Sequence, residues 1–297
     1  MIDSGTEDRR TFSILTILSL LIVIGSLAAS LGGLLLVEPA EGTGNFTSLY
    51  GETVRLDGRG LYARDSVSCA SQARGQDVVT LIVGIPLLAV GTWCGRSRNL
   101  RARMLQSGSL GYMLYTYASY AFLINYNDFF LLYVALFALS FQAFVLSFRS
   151  FGSDEVASAL RPGFPRRYLG IYLLVMGSLL ALMWLGRIIP SMNSTLPPAG
   201  LEHYTTLVIQ VLDLAVVVPT AFITGILLLK RRQLGATLAA ILFIKLLTMA
   251  CALFAMMTMM FLSGVKLAVA EAIIFTVMLA FGIHAALVMF LSVPKTA

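Results

Sequence analysis

Two residues carry charge where charge is expensive. Asp213 lies in the hydrophobic stretch 204–229 and Lys245 in the next one, 235–262. If the first stretch enters a bilayer from outside, Asp213 is about 13 Å deep at 1.5 Å per residue; Lys245 is about 15 Å from the opposite side. Both depths are near the middle of a hydrocarbon core roughly 30 Å thick. Consecutive antiparallel helices thus bring opposite charges to one level, and Glu271, closer to the outer surface, is within reach of an extended Lys245. Ionised groups in lipid must pair, neutralise or face water. Two kinds of chemistry follow: a buried pair that fixes helix register, or a site for a solute or a proton, with Asp213 the switchable carboxylate and Lys245 the partner that keeps it ionised.

Prolines favour the second. Pro219 removes a helical hydrogen bond to the carbonyl of Ala215, two residues after Asp213, and Pro86 does the same to Ile82. Interrupted helices at matching places in two halves of a chain point to a binding site. Aligned on the prolines, Asp77 and Thr80 fall opposite Gln210 and Asp213, and each proline is followed by a basic segment, 96–103 or 230–232. The expected site is therefore Asp213, Lys245, Glu271, Gln210, Asp77 and Thr80, with Pro86 and Pro219 as hinges.

Helices have to place these residues. The chain is 58% hydrophobic and 12% charged, with a mean hydropathy of +0.86, which excludes a soluble enzyme. Eight stretches are long enough to cross a membrane or nearly so: 12–37, 78–94, 107–124, 128–149, 168–187, 204–229, 235–262 and 266–292. None alternates apolar with polar, so a barrel is excluded and an all-α bundle of about eight transmembrane helices is expected, as one domain over 1–297. With the N-terminus in the cytoplasm, fourteen basic residues fall inside and six outside, four of those six in one long loop; both termini are then cytoplasmic. The +6 net charge reflects that bias rather than a nucleic-acid partner.

The long outer loop, 38–77, reads as a solvated cap or as a lid over a site below, with Asp65 or Ser66 capping a short helix that leads into the second span. Gly25, Ala29 and Gly33 recur every four residues and allow close helix approach. The aromatic ridge Phe129, Tyr133, Phe137, Phe141, Phe144 and Phe148, and the methionines of 249–260, read as packing. Tyr112, Tyr115, Tyr117 and Tyr120 run through the middle of the third span, so their hydroxyls need polar partners there. The first span is too long and its leader too acidic for a cleaved signal peptide. Cys69, Cys94 and Cys251 fall at different depths and imply no disulfide. His203 and His284 are too far apart in depth to share a haem iron. No metal, nucleophile or phosphate-loop motif appears, so no cofactor is expected.

The segment Gly75-Gln76-Asp77-Val78-Val79-Thr80-Leu81 with Pro86, the run Tyr112 through Tyr120, and Leu212-Asp213-Leu214 with Pro219 resemble a widespread family of bacterial polytopic membrane proteins to which no activity is attached. The resemblance covers most of the chain after the first span and implies a bacterial cytoplasmic membrane, with the lipid bilayer as the certain partner. The expectation from the residues is a small-solute or proton-coupled transporter with a midplane polar site. The alternative is a non-transporting scaffold or sensor acting through the outer loop. A membrane-embedded enzyme ranks third, with Tyr62, Arg64, Asp65 and His203 at the outer mouth as its reactive groups.

Overall fold

The structure is a computed structural model that describes residues 4–40, 44–95, 99–266 and 269–294; within these, the side chains of residues 4–9, 269–275 and 278 lie outside the description. Glu271 is therefore outside the described side chains, as are Arg9, Arg96, Arg98 and Lys295 of the basic set counted inside. The fold is nearly all helix, 74% of the chain. Helix α1 spans Ser4–Leu35, and a two-stranded hairpin follows, β1 (Asn45–Thr47) paired antiparallel with β2 (Thr53–Arg55). Next come α2 (Val67–Val79), a π-helical turn (Thr80–Gly84) and α3 (Ile85–Gly95), which form one continuous rod. Then follow α4 (Leu100–Leu123), α5 (Phe130–Arg149), the short α6 (Glu155–Ala159) and α7 (Arg166–Ile188). A second interrupted rod comprises α8 (Val208–Leu212), a π-turn (Asp213–Val217) and α9 (Val218–Leu229), before α10 (Gln233–Leu262) and α11 (Val269–Leu291).

Among the described residues, six helical stretches, each interrupted rod counted once, are long and apolar enough to cross a bilayer, which makes this a multi-pass membrane architecture. Their outward stripes fit that solvent. Ile14, Ile17, Leu20, Leu21, Ile24, Leu27 and Leu31 on α1 are all exposed, a continuous apolar face that soluble monomers rarely show. Helix α4 is not among the six, for a physical reason: other helices surround it, so both arginines of its first turn and most of its Ser, Thr and Tyr side chains are buried against protein. A helix with no lipid face has no need of a uniformly apolar sequence.

Two boundaries differ from the sequence reading. The second span begins at Val67, not 78, because Ser66 caps it by accepting the Cys69 amide at 3.1 Å; the outer loop thus ends at Ser66, and Cys69 and Asp77 are helical. The sixth span begins at Val208, not 204, which leaves Asp213 only five residues from its start. The outer segment is a folded cap, tied down where Arg74 donates two hydrogen bonds to Asp57, at 2.8 and 2.6 Å. The small-residue stripe of α1 packs as expected: Gly25 lies against Leu136 of α5, Ala29 is fully buried, and Gly33 faces Tyr62 and Asp77.

The two rods repeat. Residues 80 and 213 open the π-turns, 86 and 219 are the prolines, and 100 and 233 begin the following helices, a separation of 133 residues each time. Packing repeats with them. Helix α4 packs on α3, α5 and, across the middle, α8; α10 packs on α9, α11 and, across the middle, α2. The two halves are therefore related by a pseudo-twofold that passes between α4 and α10. Close approach at this axis is set by small residues: a Cβ on Gly108 of α4 would collide with Ile244, and one on Gly75 of α2 would lie 2.6 Å from the Met256 backbone.

Candidate functional site

Proline explains the widened turns. An α-helix needs an amide at each position and room beside the carbonyl four residues back, and Pro86 and Pro219 supply neither. The chain responds one residue earlier. The Ile85 amide bonds the carbonyl of Thr80 and the Val218 amide that of Asp213, five residues back instead of four. Such π-bulges often mark functional sites. Here each opens on a polar residue, Thr80 in one rod and Asp213 in the other.

At the second opening the carboxylate of Asp213 is buried and accepts two hydrogen bonds, from the Tyr115 hydroxyl at 2.7 Å and from the Trp184 indole N–H at 2.8 Å. Lys245 does not pair with it directly. Its ammonium sits over the Tyr115 ring, 4.2 Å from the centroid. Tyr115 is thus the bridge: its face carries the cation and its hydroxyl binds the anion. The sequence reading brought Asp213 and Lys245 to one place, and the structure does the same, but it inserts an aromatic ring where a direct ion pair was expected. Trp184 had gone unnoticed. Its signal was an indole N–H within a membrane helix, a donor that requires an acceptor.

Gln210 is buried one turn before Asp213 and lines a groove of about 550 Å³ with Thr205, Thr206 and Leu214. Asp213, between Gln210 and Leu214 in sequence, is not part of its wall.

The first opening has other partners. Thr80 is 2.9 Å from the Tyr112 hydroxyl, which also accepts from the Gln76 side chain at 2.7 Å; the same amide reaches Thr116 at 2.7 Å. Asp77 belongs to a third cluster, where Tyr62 donates to one oxygen at 2.6 Å and Tyr120 is 2.9 Å from the other. Asp77 and Thr80 are therefore not part of the Asp213 group: α4 separates them, presenting Tyr112 and Tyr120 to α2 and Tyr115 to α8. The expected six-residue site resolves into an Asp213–Tyr115–Lys245 centre with Gln210 above it, a Thr80–Tyr112–Gln76 cluster and an Asp77 cage.

The outer mouth has its own carboxylate. Asp65 is fully buried and accepts from the Asn125 amide and side chain, at 3.0 and 3.1 Å, and from Tyr204 at 2.9 Å. Burial pushes its pKa up to about 6, against the pull of these donors. Asp65 thus serves as a tie between cap, α4–α5 loop and α8 approach, while Ser66 takes the capping role. His203 contacts Asn125 and the Arg64 carbonyl, each at 3.0 Å, and His284, far along α11, contacts Tyr168 at 2.8 Å. No group of three or more His, Cys, Asp or Glu suited to a metal occurs among the described residues.

Comparison with known proteins gives no matching family model, no matching curated protein and no matching solved structure.

Proposed function

We propose that this chain is a permease of the bacterial cytoplasmic membrane, crossing it eight times with both termini inside, and that it moves a small solute or a proton through the centre formed by Asp213, Tyr115 and Lys245. Helices α4 and α11 supply the two further crossings; at 24 and 23 residues they are about 36 and 34 Å long, enough for the core. The observation that carries the reading is a buried carboxylate at a helix interruption, on a rod whose Gln210 and Leu214 line an open groove, bound by neutral donors that an incoming group can replace. A solute that donates hydrogen bonds, or a proton, competes with Tyr115 and Trp184 for Asp213. Lys245 lies across the ring from the carboxylate and keeps the site charged when it is empty. The π-turns beside Pro86 and Pro219 hold spare helical length that lets each rod change its winding around the axis.

The test uses full-length chain in vesicles, with proton flux read by a trapped pH dye and uptake measured for labelled amines, amino acids and sugars. Wild type should show flux that Asp213→Asn loses while remaining folded. Undiminished flux in that variant removes the mechanism.

The scaffold or sensor alternative has one observation in its favour: the hairpin of the cap exposes Phe46, Leu49 and Tyr50 at its tip. Deleting 44–56 separates the two readings, since a scaffold loses partner association and leaves no flux to be altered.

A further inference from the structure

A tyrosine hydroxyl owns one hydrogen, and Tyr120 has two acceptors for it. Its oxygen is 2.9 Å from the Ala73 carbonyl and 2.9 Å from Asp77 Oδ1. When Tyr120 donates to Ala73, the contact with Asp77 is a hydrogen bond only if the carboxyl group carries the proton and donates. When Asp77 is ionised, Tyr120 turns its hydrogen to the carboxylate, and Ala73 retains its α-helical bond from the Asp77 amide.

The surroundings favour the first state. Asp77 is 1% exposed. From the cap it meets Tyr62; from α4, Tyr112, Tyr117 and Tyr120; from α5, Tyr133; from α1, Ser30 and the backbone at Gly33. Helix α10 brings Met256 and Cys251 to this side and no charge. The cation on its own helix, Arg74, lies over the Tyr62 ring, 5.8 Å from the centroid, and gives its two hydrogen bonds to Asp57 rather than to Asp77. Among the described residues no ion pair involves Asp77. A carboxylate so placed is stabilised by neutralising it. A second state is also provided for: Ser30 Oγ, buried beside Asp77 without a settled hydrogen bond, is a further hydroxyl that can donate to an anion there.

We propose that Asp77 is a proton-binding site distinct from the Asp213 centre, a carboxylic acid whose O–H donates to Tyr120 and whose ionisation re-aims the tyrosine cage. The step is a proton transfer alone. The O–H bond of the acid breaks, the proton goes to water, Tyr120 rotates its hydrogen from Ala73 to Asp77, and nothing is oxidised or reduced. Resting on the permease reading, this names the coupling ion as a proton and places it in the half of the molecule that does not hold the solute carboxylate.

Infrared spectroscopy of the full chain in phosphatidylethanolamine–phosphatidylglycerol vesicles tests it without any substrate. At mildly alkaline pH, above the titration of Asp65, wild type should show a protonated-carboxyl C=O band that shifts in heavy water. Asp77→Asn should lose the band and Asp213→Asn should keep it. Tyr120→Phe should move it to higher frequency, because the acid loses its acceptor; this variant decides the matter if Asp77→Asn does not fold. An absent band, a band that survives Asp77→Asn, or one unmoved by Tyr120→Phe overturns the proposal. Because the readout needs no flux, a missing band alongside Asp213-dependent transport removes the proton site alone, whereas a band without transport removes the permease reading alone.

Discussion

The N-terminal rod carries its acid nine residues before Pro86 and a threonine six before it, while the C-terminal rod carries a glutamine nine before Pro219 and its acid six before it. The backbone device is the same, but the charge has moved by one helical turn. That turn changes everything around it. At the later position Asp213 sits at the mouth of the π-turn, faces Trp184 and Tyr115, and has Lys245 across one ring. At the earlier position Asp77 lies in the regular helix, in a cage of hydroxyls with no cation bonded to it. The residue of α10 equivalent to Tyr112 by the 133-residue offset is Lys245, so the cation also follows the repeat. Each acid thus has a cation over the ring of a tyrosine it bonds, Lys245 at 4.2 Å and Arg74 at 5.8 Å, but Arg74 is already bonded to Asp57. On the proton-site proposal the first half holds a neutral acid and the second an ionised one.

Removing the cation should separate them most. Lys245→Leu leaves Asp213 buried with two neutral donors and without the cation across the Tyr115 ring, and should destabilise the protein by roughly 3–5 kcal/mol in denaturant unfolding. Adding Asp213→Asn to it should recover most of that loss, since the pair is then removed whole. A Lys245→Leu variant as stable as wild type would place a neutral carboxyl at both sites and erase the contrast.

Asp65 offers a third buried carboxyl, placed between the two extremes because it accepts three hydrogen bonds but pairs with no cation. Its folded pKa is raised from 3.8 to about 6, by burial. Between these values the folded chain holds a proton that the unfolded chain has lost. Stability is therefore highest below about pH 4, declines as pH rises through 6, and levels off above it, a total of roughly 3 kcal/mol. Unfolding measured across that window should show a decline that is smaller in Asp65→Asn than in wild type by roughly 3 kcal/mol, the remainder belonging to Asp77 on the proton-site proposal.

The multi-pass helical architecture was legible because hydrophobic length is a property of segments, which averaging over twenty residues reports well. The matched interruptions were legible too, since proline has a fixed effect on the residues before it. Cap boundaries were not: the eleven residues from Val67 to Asp77 are polar enough to read as loop, and they form helix because Ser66 caps them and α10 buries one side. Side-chain direction was the other gap. Alignment on the prolines put Asp77 and Asp213 in one site, yet residues three apart on a helix point about 60° away from one another, and here that angle sends one acid toward α1 and the other toward α7. Trp184, and the pairing of Tyr115 rather than its neighbours with Asp213, became visible only once those directions were fixed.

The hydroxyl deletions carry a finer form of the comparison. Tyr115→Phe keeps the ring beneath Lys245 and removes only the hydrogen bond to Asp213, a bond to an ionised acceptor, so it should cost roughly 1.5–3 kcal/mol. Tyr120→Phe removes a hydroxyl that, beside a neutral Asp77, accepts from the acid and donates to a carbonyl already bonded in its helix; such interhelical bonds in membranes average about 0.6 kcal/mol. The two phenylalanine variants differ by one oxygen each on the same helix, so unfolding them side by side cancels most errors of method. A larger loss at 115 than at 120 means that the acids differ in charge. Equal losses mean that both are ionised, and the asymmetry between the halves would then be one of geometry alone.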